Sequence, residues 1–149
     1  MTTRRQMLAM SASALAASAV PVSAQGAGTS SESTDKIIQI RNAALRIDYG
    51  GVRFLLDPLL AERHGFPGFP GTVNDEERKS MVRLPLPVAE IIDVDAVIVT
   101  HLHEDHWDQA ARDALDQDLP IFAQNEADAD VVRGQGFRDV RVLTDNTEF

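Results

Sequence analysis

No cysteine occurs in the 149 residues. That excludes disulfides and thiolate metal sites, so any metal must be held by imidazoles and carboxylates. Basic residues are outnumbered, with 14 Lys and Arg against 23 Asp and Glu. The balance argues against a nucleic-acid partner, whose phosphates need a basic surface. Long apolar runs are missing too. The most apolar stretch lies in the first 24 residues, and it is too short and too serine-rich to span a bilayer, so no stable membrane anchor is expected. Aromatics are sparse at 5%, yet hydrophobic residues reach 44%, enough for the core of one modest domain. Histidine is scarce as well, with four copies. Three of the four fall within six positions, and that concentration needs a cause.

The first residues, MTTRRQMLAMSASALAASAVPVSAQ, combine a basic start, an Ala/Leu/Met/Val-rich middle and a small-residue exit. These are the three parts of an export signal. Arg4 and Arg5 are adjacent, and Thr3 to Leu8 resembles a twin-arginine signal, with the general secretory route as the alternative. Cleavage is expected after Val22-Ser23-Ala24, giving a signal over 1–24 and a periplasmic or extracellular mature chain. A retained Ala/Ser tail is the competing reading. Residues 25–35, QGAGTSSESTD, are small and polar and read as a flexible linker.

Ordered structure is expected from Lys36 to the end of the chain, over 36–149. ALRID alternates apolar and polar residues, and Gly50-Gly51 between LRIDY and VRFLLD is a two-residue hairpin signal. Asp57-Pro58 closes the second arm, because proline cannot continue a ladder. A long irregular segment over 58–92 follows, punctuated by Gly65, Pro67, Gly68, Pro70 and Gly71. Phe66 and Phe69 within it either cover a site or tack a surface loop to the body. His64 reads as a solvated loop histidine. From Asp95 the pattern changes. DAVIVT is a short, almost continuously apolar run, as in a strand buried on both faces. Trp107, Ala110, Ala111, Ala114 and Leu115 recur on one helical face, and PIFA is a second strand. Asn125 caps a further helix to about Gly134, Gly136 fits its left-handed end, and VRVL is a third strand. The order is a hairpin region and then β-α-β-α-β, an α/β arrangement.

The histidines His101, His103 and His106, with Asp105, fall between the strand at 95–100 and the helix after it. In α/β sheets this carboxyl end of a strand is where sites are placed. His101 and His103 are two apart and point the same way if extended. Asp105 and His106 enter the helix start and face the same space from another side. Imidazole and carboxylate are zinc ligands. Crowding them into one pocket is costly unless something binds there.

His101-Leu102-His103-Glu104-Asp105-His106 matches the His-x-His-x-Asp-His motif, and the chain resembles the metallo-β-lactamase superfamily over about residues 36–145. The stretches AALRIDYGGVRFLLDP and DVDAVIVTHLHEDHWD look most like its lactonase-like branch. The resemblance implies a four-layer αββα fold, of which this chain would be the N-terminal half, incomplete at its C-terminus. It implies that His101 and His103 hold one metal and Asp105 and His106 a second. Zinc, as one or two ions, is the implied cofactor, with iron or manganese as alternatives. Asp105 would also act catalytically by orienting the attacking hydroxide. Asp57, in LLDP, would brace the metal loop, or else cap a turn before Pro58. Glu104 reads as a solvated or ion-paired residue and Trp107 as core. The implied activity is hydrolysis of an ester, lactone, amide or phosphodiester-type bond in a small molecule. Family members complete their site with further downstream histidines, and none follows His106 here. Two rivals therefore stand: a non-catalytic fragment with residual metal binding, and a mononuclear iron oxygenase of the same fold. A half-sandwich would also expose apolar surface and self-associate.

Overall fold

A computed structural model describes residues 35–147. The segment expected to be an export signal, the expected linker up to residue 34, and the last two residues lie outside the described residues. Nine elements follow in order: β1 (Lys36–Arg41), β2 (Ala44–Tyr49), β3 (Val52–Leu56), α1 (Val88–Ile91), β4 (Ala96–Val99), α2 (Gln109–Ala114), β5 (Ile121–Ala123), α3 (Glu126–Gly134) and β6 (Val140–Val142). The six strands form one sheet in sequence order. β1, β2 and β3 pair antiparallel, and β3 to β6 pair parallel.

The hairpin between β2 and β3 turns at Gly50 and Gly51, whose φ angles are 58° and 86°. Side-chain-bearing residues resist that backbone region, and the glycine pair accepts it. The β1–β2 turn uses Asn42 at φ 47°, asparagine being among the residues that tolerate it. β3 ends at Leu56, immediately before the expected Asp57-Pro58 stop.

Parallel neighbours need crossovers, and right-handed crossovers in a constant strand order put α2 and α3 on the same face of the sheet. That face carries Leu55, Val97, Val99, Ile121, Ala123 and Val140, all buried. Ala111 and Leu115 from the α2 region, and Ala129 and Val132 from α3, join them in one core. Alternate strand positions put Leu45, Ile47, Phe54, Leu56 and Ile98 on the other face. Both faces are thus apolar through the parallel strands, as expected of a sheet covered on both sides. α3 starts with Asn125, whose side chain accepts from the Asp128 N–H, and Gly136 at φ 104° follows its end.

Two features differ from the sequence reading: the short helix α1 lies inside the segment expected to be irregular over 58–92, and α2 starts later than expected. α2 begins at Gln109 with Asp108 as its N-cap, so Trp107 precedes the helix instead of opening it. Asp108 accepts from the Ala111 N–H, which ends the run of extended backbone there. Trp107 is still fully buried. It packs on Phe137 and donates its indole N–H to Gln135 Oε1 at 2.8 Å.

Candidate metal centre

β4 delivers its carboxyl end at Thr100, and residues 101–106 form the loop that leads to α2. Within it the imidazole centroids of His101 and His103 are 4.7 Å apart, and those of His101 and His106 are 3.8 Å apart. One ligand atom from each of His101, His103 and Asp105 lies within 4.8 Å of the others. Donors that share one ion sit at most about 4.4 Å apart, twice the ligand bond, so a slight tightening would let these three close on an ion. His106 Nε2 lies 3.7 Å from Asp105 Oδ2. Asp105 is therefore within reach of both the His101–His103 pair and His106.

Asp57 fixes how these rings are presented. It is 2% exposed and sits at φ 46°, a conformation aspartate tolerates. Its Oδ1 accepts from the Thr100 N–H at 2.7 Å, and its Oδ2 from the Thr100 hydroxyl at 2.8 Å. Oδ2 also meets His106 Nδ1 at 2.8 Å. A carboxylate only accepts, so Nδ1 carries the ring proton and Nε2 keeps its lone pair for an ion. The Thr100 hydroxyl, having donated to Asp57, is left to accept from His101 Nδ1 at 3.1 Å. His101 Nε2 is thereby free as well. One buried carboxylate orients two histidines, one directly and one through a threonine. Among the described residues, neither the His103 ring nor the Asp105 carboxylate makes a hydrogen bond. An open set of imidazole nitrogens and one carboxylate suits a divalent ion.

No family model matches the chain. Among curated proteins, UPF0173 protein YddR of Bacillus subtilis is 46% identical over 114 residues, 76% of this chain and 45% of its own length. A crystal structure of an isothiocyanate hydrolase from Delia radicum gut bacteria is 49% identical with a TM-score of 0.73, over 76% of this chain and 43% of that one. A possible metal-dependent hydrolase from Veillonella parvula is 44% identical with a TM-score of 0.74, over 76% of this chain and 44% of that one. An N-acyl-phosphatidylethanolamine-hydrolyzing phospholipase D 1 of Caenorhabditis elegans shares 33% over 70 residues, 47% of this chain and 18% of its own. Over the matched stretch the chain is similar to metal-dependent hydrolases, in keeping with its resemblance to the metallo-β-lactamase superfamily. It spans less than half the length of the relatives it matches.

All five site residues named from the sequence converge: His101, His103, Asp105, His106 and Asp57. Glu104 lies at the rim, with Oε1 3.4 Å from the Gln109 N–H and Oε2 4.0 Å from Arg112. His64 is elsewhere. It is exposed in the 58–87 loop, with Nδ1 3.0 Å from the Arg78 carbonyl.

Three contributors escaped the sequence reading. Thr100 is the relay just described. Arg41 and Asp108 grip the root of the long loop from two sides. Arg41 is 3% exposed and donates to the carbonyls of Leu59, Ala61 and Val82. Asp108 accepts from the Ala61 N–H at 2.6 Å while capping α2. Burial pushes the Asp108 carboxyl above its usual range, against the pull of backbone N–H groups and of Arg41. Burial likewise holds Arg41 below its usual value, with Asp108 and Glu62 opposing. For Asp108 a cue existed, since an aspartate before a helical run is an N-cap signal. For Arg41 there was none.

Proposed function

We propose that the chain serves a metal-dependent hydrolase in which an activated water attacks an ester, lactone, amide or phosphodiester-type bond of a small molecule. The observation that carries this is the cluster of His101, His103 and Asp105 beside a His106 whose tautomer Asp57 fixes. His101 and His103 would hold one zinc ion, and Asp105 with His106 a second. When bound, such ions supply water activation and polarisation of the scissile group. Asp105, half-buried and free of other hydrogen bonds among the described residues, would orient the attacking water. Asp57 and Thr100 keep the histidine nitrogens aimed inward. Arg4 and Arg5 support export, so a mature N-terminus near Gln25 outside the cytoplasm is the expected product.

The test is the purified chain with added Zn²⁺, assayed against lactone, thioester, phosphodiester and isothiocyanate substrates. The last is included because of the likeness to an isothiocyanate hydrolase. Zinc-dependent turnover that disappears in the His101→Ala/His103→Ala double variant is the expected result. A second reading is metal binding without turnover, since the described residues offer two ions only four candidate ligands, His101, His103, Asp105 and His106. Stoichiometric zinc with no hydrolysis above free ion in all four assays would establish it. Zinc retained equally by the double variant overturns both. Metal analysis of the native protein separates zinc from iron, and with it the hydrolase from the oxygenase.

A further inference from the structure

The irregular segment after β3 is built to hold a shape. Phe66 and Lys79 exchange backbone hydrogen bonds at 2.8 Å in both directions, and the His64 N–H donates to the Ser80 carbonyl at 2.7 Å. These bonds close the neck of the loop. Inside it the chain passes so tightly that a Cβ at Gly68 would meet the Asp75 carbonyl oxygen at 2.0 Å. A cavity of about 290 Å³ opens between this loop and the metal centre, bordered by Phe66, Phe69, Lys79, Ser80 and Asp105. Beyond Phe69 a second hollow of about 350 Å³ also touches Asp105, together with His103 and Glu104. Phe69 borders both, so a molecule in the first cavity reaches the candidate ligands at one end.

The walls differ in chemistry. Phe66 and Phe69 stand with ring centroids 6.0 Å apart and planes at 53°, a ready surface for a planar apolar group. Lys79 brings the cavity its cation, and among the described residues its ammonium has no ion-pair partner. Ser80 is 2% exposed, and its hydroxyl has no hydrogen-bond partner. A buried donor left unmet costs stability, and a ligand acceptor would relieve it. The backbone closure at 66 and 79 explains the loop's shape but leaves the side chains of Lys79 and Ser80 unused.

We infer that this cavity is a substrate-binding site for an aromatic or similarly planar apolar molecule that carries an anionic oxygen group. The ring lies against Phe66 and Phe69, and the anion is bound by Lys79 and Ser80 beside Asp105. The inference rests on the hydrolase reading only for what happens at the metal; the cavity itself is tested without one. The probe is phenylacetate, titrated into metal-free full-length chain by calorimetry, with phenylacetamide as its uncharged counterpart. Phenylacetate should bind saturably and about tenfold more tightly than phenylacetamide. Lys79→Met, which keeps the backbone bridge, should erase that preference, and Phe69→Ala should weaken both probes. Ser80→Ala should weaken phenylacetate severalfold, with circular dichroism confirming the fold. Absence of saturable binding, equal affinity for the two probes, or unchanged binding by Lys79→Met would overturn the assignment. None of these outcomes bears on whether His101 and His103 hold zinc, which the double variant reports separately.

Discussion

Asp57 concentrates three tasks in one side chain: it accepts from the Thr100 backbone, from the Thr100 hydroxyl and from His106 Nδ1. Replacing it by asparagine keeps a residue that tolerates the left-handed backbone at this position. The amide, however, cannot accept all three bonds at the same two atoms, because one of them becomes a donor. His106, and His101 through Thr100, would lose their fixed tautomers. Asp57→Asn should therefore fold normally and bind Zn²⁺ about 10–100-fold more weakly, the usual cost of losing a group that orients a metal ligand. Competition with a chromogenic chelator measures it, and undiminished affinity would remove Asp57 from the centre. At this scale the histidines and Asp105 were legible because their spacing is a chemical pattern. Arg41 was not, since arginine is ordinarily exposed. It is buried only because the carbonyls of Leu59, Ala61 and Val82 converge on it, and no local signal announces that.

Among the elements, α2 has an importance its six residues do not suggest. Its cap Asp108 faces two ways, satisfying the Ala111 N–H within the helix and the Ala61 N–H at the root of the long loop. The same aspartate thus ties the exit of the metal loop to the segment that leads into the proposed cavity. Asp108→Ala removes a cap and strands the part-buried Ala61 N–H, with expected losses of about 0.5–2 kcal/mol and about 1–3 kcal/mol. A denaturation midpoint shift corresponding to about 2–4 kcal/mol is the expected outcome. Asp108→Asn, which still accepts, should recover part of it. A shift under about 0.5 kcal/mol for the alanine variant, as for an ordinary surface site, would show that the clamp is idle. Most elements were legible because their periods are clean. Gly50-Gly51 marked the hairpin, the apolar run at 96–99 marked β4, and Asn125 marked the start of α3. The segment from 58 to 87 was not, because its shape comes from backbone closure between residues 64–66 and 79–80 and from the tight pass at Gly68. Contacts so distant in sequence leave no period to read.

For the molecule as a whole, the sheet fixes where everything else can be. Four parallel neighbours, β3 to β6, end their carboxyl termini along one edge, and the histidine loop leaves β4 there while Asp57 leaves β3 beside it. The sequence placed the histidines at the carboxyl end of the strand at 95–100, where α/β sheets put their sites, so the position of the loop was legible while the strand order was not. The candidate ligands are neighbours in sequence. The folded sheet, acting through Asp57 and Thr100, fixes their geometry, and the unfolded chain offers the same groups without that orientation. An ion that binds the oriented ligands more tightly than the unfolded segment stabilises the fold by mass action, by at most about 2.7 kcal/mol when free ion reaches 100 times Kd. For a domain of this size that corresponds to a rise in Tm of roughly ten degrees. Thermal unfolding of the full chain over a Zn²⁺ series should show this rise, increasing with the logarithm of concentration. The His101→Ala/His103→Ala variant should melt at one temperature throughout the series. A Tm indifferent to zinc in the parent chain, or rising equally in the variant, would show that the histidine loop is not where the ion meets the fold.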